Sequence, residues 1–141
     1  TAAASSGIST MSASTNAGSG YTITYSSPNS LQPTGGGTAL PSYSSAASQP
    51  GIAAGFGINL VDNAAPNVGT NPTGGSGTAS AGYASADTFN FVGGSVPTQV
   101  ASASGPTNST TYVVSYVANI VALTAPGAYT TNFTYVATPN F

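Results

Sequence analysis

Asp62 and Asp87 are the only acidic side chains among 141 residues, and lysine, arginine, histidine and cysteine are all absent. Two carboxylates meet the bare count for glycoside hydrolysis, which needs carboxyl groups roughly 5 to 10 Å apart, or for an aspartic dyad sharing a proton. Neither aspartate sits in a recognisable motif. The contexts are Leu60-Val61-Asp62-Asn63 and Ser85-Ala86-Asp87-Thr88, where a carboxylate ordinarily accepts hydrogen bonds at a turn or strand start. Calcium takes oxygen ligands, and Asp62 with Asn63 and nearby carbonyls would make a weak site at best, with a single carboxylate. The usual groups for neutral-pH base catalysis, thiolate chemistry and zinc ligation are missing. The chain reads as non-enzymatic, without catalytic residues, a metal site or a cofactor.

The same absences exclude partners. With no cation to displace phosphate counterions, nucleic-acid binding has no electrostatic basis. The glycine-rich stretch of residues 69–82 shares only composition with phosphate loops, since it lacks their lysine and a following helix. Two N-glycosylation sequons occur, Asn108-Ser109-Thr110 and Asn132-Phe133-Thr134, while proline blocks Asn71-Pro72-Thr73. Eight tyrosines would suit sugar stacking, but most fall on the apolar parity of strand-like runs, which suits packing. A carbohydrate-binding module is therefore an alternative reading, weakened by the lack of tryptophan.

The elements that must position these residues are strands. Tyr21-Thr22-Ile23-Thr24-Tyr25 alternates with the two-residue period of a half-buried strand. Phe56, Ile58 and Leu60, and then Phe89 and Phe91, repeat that period. Residues 111–123 are apolar on both parities, as in a central strand covered on both faces. Residues 129–137 carry Tyr129, Thr131, Phe133, Tyr135 and Ala137 on one face. With Ala125-Pro126-Gly127 as a turn, the two long runs predict a C-terminal antiparallel hairpin. Gly/Pro/Ser/Thr-rich loops separate the strands at residues 26–37 and 64–82, and no helical period appears. The fold expected is all-β: a single antiparallel β-sandwich, jelly-roll or Ig-like, over residues 21–141, preceded by an extended segment over residues 1–20.

Composition points to assembly. Hydrophobic residues make up 40% of the chain, enough for a core, but only 1% is charged, against about 25% in typical soluble domains. Few charges mean little electrostatic protection against association. No apolar run reaches the about 20 residues of a membrane span. The Thr1-Ala2-Ala3-Ala4 start is that expected of a secreted chain after signal-peptide removal. Residues 1–20 are small and polar apart from Ile8 and Met11. Such a segment either folds back on its own sheet or is donated to a neighbour's by β-augmentation. The candidate donor residues are Ala2, Ala4, Ile8 and Met11, with Ile8 as a pocket-filling anchor. The candidate acceptor core is Tyr112, Val114, Tyr116, Ile120, Tyr129, Phe133 and Tyr135, and the candidate glycan acceptors are Asn108 and Asn132.

The run Thr111-Tyr112-Val113-Val114-Ser115-Tyr116-Val117-Ala118-Asn119-Ile120, the closing Tyr129-Thr130-Thr131-Asn132-Phe133-Thr134-Tyr135-Val136-Ala137, and the inner Gly57-Ile58-Asn59-Leu60-Val61 carry a resemblance. They resemble secreted β-sandwich surface proteins of small-genome candidate-phylum bacteria. More loosely, the ending is similar to WxL-type and spore-coat-U-type wall proteins, without the tryptophan of the former, and the overall plan to donor-strand pilus subunits. The resemblance implies export and a surface role, and it transfers no catalytic residue. Together these features predict an extracellular filament or pilus subunit, assembling head-to-tail with identical subunits by strand complementation, with a tip adhesin or surface anchor as further partner. A laterally packed wall or S-layer-like domain is the second reading.

Overall fold

A computed structural model describes residues 3–44, 47–48 and 53–141. Eight strands carry the architecture: β1 (Ala3–Thr15), β2 (Tyr21–Ser27), β3 (Gly55–Asn59), β4 (Thr73–Gly74), β5 (Thr78–Ala79), β6 (Gly94–Ala103), β7 (Thr107–Ile120) and β8 (Thr134–Pro139). Three two-residue ladders supplement them: Gln32–Pro33 with Tyr129–Thr130, Ala47–Ser48 with Thr88–Phe89, and Asn63–Ala64 with Asn67–Val68. A short 3-10 turn at Ala81–Tyr83 is the one helical element among the described residues.

The strands form two antiparallel sheets packed as a β-sandwich. In the first, β7 lies between β1 on one side and β3 and β4 on the other; the second has the order β8-β2-β6-β5. β1 passes to β2 across the sandwich, and β6 passes to β7 at the same end. Because β1 pairs with β7 and β2 with β6, residues 3–27 and 94–120 form a two-stranded ribbon folded over the core. Gly20 makes the sharp entry to β2. Its φ is +79°, and a Cβ there would stand 1.9 Å from the Ala103 carbonyl oxygen, so no other residue fits without moving the backbone.

The core follows the period-2 reading. β2 alternates buried and half-buried along its whole length. Its Tyr21, Ile23 and Tyr25 meet Val100, Ala101 and Ala103 of β6, Phe56 and Ile58 of β3, and Tyr112 and Val114 of β7. β7 is covered on both faces, as its sequence predicts, since Ser115, Val117 and Asn119 on the opposite parity are also buried. Polar residues are needed on that second face because loops, not a sheet, cover it. There Asn59 and Asn63 exchange a reciprocal pair of amide hydrogen bonds, and Asn63 Nδ2 also donates to the carbonyls of Val61 and Val68 at 2.8 Å each.

The expected C-terminal hairpin does not form. β7 pairs with β1, β3 and β4, whereas β8 pairs with β2 in the other sheet. The segment with Pro126 and Gly127 carries the chain from one sheet to the other instead of reversing it within one. Alternation shows which face of a strand is apolar but not which strand lies beside it. Here the two aromatic faces oppose each other across the sandwich: the Tyr116 and Phe133 rings meet edge-on, with centroids 5.3 Å apart.

Candidate functional site

The side of the sandwich flanked by β1 and β8 gathers most of the residues singled out in the sequence. β1 is the outer strand of its sheet, paired with β7 from Ala3 opposite Ile120 to Thr15 opposite Thr107. Its 13 residues span about 44 Å at the antiparallel rise. The segment thus folds back on the chain's own sheet. Its two halves are held differently. Met11 and Ala13 are half-buried and pack on the core, whereas every residue from 4 to 10 is exposed. The ladder to β7 and one side-chain bond, Ser9 Oγ to Tyr116 Oη at 2.8 Å, hold this arm in place.

In the chain's own sheet, parity leaves Ile8 without a pocket. Side chains alternate across a strand, so with Met11 turned to the core, Ala4 and Ile8 must turn away from it. Ile8 is 60% exposed. The inward positions of the arm hold Ser5, Gly7 and Ser9, all small. Ala2 lies outside the described residues.

An open cleft of about 540 Å³ follows from those small residues. Ser5, Ser6 and Gly7 form one wall; Phe56, Tyr116, Tyr129 and Phe133 are among the residues opposite. A Cβ built on Gly7 would meet no atom within 4 Å. A second, smaller opening of about 280 Å³ lies further along the same side, where Ala13 and Thr15 of β1 face Ala137 and Pro139 of β8. Hydroxyl groups bridge the sheets between the two. Ser9 bonds Tyr116, and Tyr116 Oη bonds Tyr135 Oη at 2.9 Å.

Of the candidate acceptor residues, Tyr112 and Val114 are fully buried, and Tyr116, Tyr129, Phe133 and Tyr135 pack against the same core. Ile120 stands apart at the end of β7, 44% exposed. Tyr112 Oη pairs with Tyr21 Oη at 2.9 Å, and both reach the Cβ position of Gly77, where any side chain would collide with them. Three of the tyrosines hold their protons tightly. Burial first, and then the hydrogen bond to Tyr116, holds the Tyr135 phenol well above the ordinary tyrosine range. Burial and the Tyr21 bond do the same for Tyr112, and burial and the Tyr25 bond for Tyr83.

The aspartates lie elsewhere, beside the loop-covered face of the first sheet. Asp87 Oδ1 accepts the backbone N–H groups of Ala64 and Ala65 at 2.9 and 2.8 Å, and its own N–H donates to Asn63 Oδ1. These bonds hold Asp87 at φ +57°, a region non-glycine residues seldom occupy. Asp62 is exposed, its N–H donating to Asn71 Oδ1. Among the described residues no three potential metal-ligating side chains cluster, and no helix is long and apolar enough to cross a membrane.

Sequence reasoning missed Gly7, Ser9 and Phe56 as parts of this site, and Leu31, which also lines the cleft. Only the β1–β7 register brings Gly7 and Ser9 over the aromatic wall, and nothing in their local sequence signals it. Comparison with protein-family models, curated proteins and solved structures gives no match.

Proposed function

We propose that the protein is a structural, non-enzymatic subunit of an extracellular filament or pilus, joined to identical subunits by exchange of the N-terminal strand. The observation that carries this reading is the exposure of residues 4–10 on a strand that is nevertheless fully paired with β7. A segment held by backbone bonds with almost no buried side chain opens at low free energy. Once open, it re-forms the same ladder on the β7 of a second copy, while Met11 to Thr15 stay docked at home. When each arm fills the next subunit's groove, the contact is heterologous and propagates instead of closing. The arm carries neither charge nor proline, and so lacks two common safeguards of edge strands. Surface attachment or cell–cell contact is the role that fits such a polymer, with an adhesin or anchor at its ends.

The test uses the whole chain, a variant lacking residues 1–10, and a synthetic peptide Thr1–Met11. Wild type is expected to form fibres in electron micrographs as concentration rises. The truncated variant stays monomeric, binds the peptide and melts higher with it bound. Wild-type fibres without peptide binding would replace strand exchange by lateral packing; a wild type that stays monomeric at millimolar concentration would end the filament reading.

A further inference from the structure

We infer that Asn132 is the acceptor of an N-linked glycan on the folded protein, and that the fold withholds the other sequon, at Asn108, from the same modification. The sequence presents the two sequons as equals, but the structure does not. An oligosaccharyltransferase must reach the asparagine amide and also the hydroxyl two residues on. At Asn132 both groups are open to solvent, although Thr134 stands opposite Ser26 at the first rung of β8. Residues 131–133 lie outside the strand ladders, and Asn132 and Thr134 are both exposed. The neighbours on either side are anchored inward. Thr131 Oγ1 donates to the Asn29 carbonyl at 2.6 Å, and Phe133 packs among the rings of Tyr25, Phe56 and Phe91. Asn132 is therefore turned outward between two fixed points, and a glycan there stands clear of the core.

The sequon at Asn108 is locked. It lies within β7, where Thr110 pairs with Ala13 on one side and Gly74 on the other. Thr110 is completely buried, and its hydroxyl oxygen accepts the Gly77 N–H at 3.0 Å. The Ser109 carbonyl accepts the Gly75 N–H. Although Asn108 itself is exposed, reading its threonine requires opening β7 along both edges.

The co-substrate class is a polyprenyl-diphosphate-linked oligosaccharide. The Asn132 Nδ2 forms a bond to the anomeric carbon, the anomeric carbon–oxygen bond breaks, and the lipid diphosphate leaves with its electron pair while the amide loses one proton. On a surface with a net charge of −2, a hydrated glycan supplies the solubility that charged side chains supply elsewhere. This inference stands independently of the filament reading.

The test combines mass spectrometry of protein shed by its native host with labelling in vitro. Trypsin has no site in a chain without lysine or arginine, so chymotryptic peptides are mapped. The peptide carrying Asn132 is expected to bear one glycan, lost in Thr134→Ala with the circular dichroism unchanged, and the Asn108 peptide is expected bare. In vitro, an oligosaccharyltransferase given a lipid-linked donor labels Asn132 alone on folded protein, and both sites in urea. Bare Asn132 in the native material overturns the inference, as does equal occupancy of Asn108 in either folded sample.

Discussion

A tyrosine hydroxyl in a core needs a partner, and this chain meets the need largely with other tyrosines: Tyr21 with Tyr112, Tyr25 with Tyr83, and Tyr116 with Tyr135. The phenols of Tyr83, Tyr112 and Tyr135 are all raised above 10.0 by burial and by these bonds. The native state therefore holds their protons more tightly than the unfolded chain does. The stability they contribute is complete below about pH 10, the unfolded tyrosine value, and falls as pH rises beyond it. Circular dichroism from pH 8 to 12 should show a flat stability up to about pH 10 and then a steep loss, and Tyr135→Phe should make that loss shallower. An unchanged slope would mean that Tyr135 ionises as freely in the native state as in the unfolded one. Asp87, by contrast, has a structural task at a turn distant in sequence: its carboxylate accepts the backbone N–H groups of Ala64 and Ala65.

At the scale of the element, β1 divides at Met11 into a half packed on the core and an exposed arm held by its ladder to β7. Gly7 is the weakest point of the arm, since glycine inside a strand costs roughly 0.5 to 1 kcal/mol relative to alanine and leaves the cleft unfilled beneath it. Nothing lies within 4 Å of its Cβ position, and its φ is outside the left-handed region. Gly7→Val should therefore raise the unfolding free energy by about 1 kcal/mol, read as a shift in the urea midpoint at constant slope. It should also slow strand exchange, because the arm then has a side chain to bury. A lower midpoint would show that the cleft wall cannot accept two methyl groups.

For the whole molecule, the missing charges set the response to solution conditions. Histidine and cysteine, the side chains that ordinarily titrate between pH 5 and 9, are absent, and no lysine or arginine is present to form ion pairs with Asp62 and Asp87. Folding and assembly followed by light scattering should accordingly change little across that pH range or between 0.05 and 1 M salt, since there is little to screen. Sharp disassembly in either titration would point to an electrostatic contact between subunits that this composition gives no reason to expect. The sequence by itself determined the low charge of this chain, the all-β character, and the strands around Tyr21–Tyr25 and Tyr112–Asn119. Those follow from residue types and two-residue periods, which are local properties. Tertiary structure decided which strands became neighbours. It placed β7 and β8 in opposite sheets, turned Ile8 outward, set Gly7 and Ser9 over an aromatic cleft, and buried Thr110 while leaving Thr134 open. Alternation fixes which side chains share a face, but pairing and register depend on contacts across a hundred residues of chain, as between Ser9 and Tyr116, and no local pattern records them.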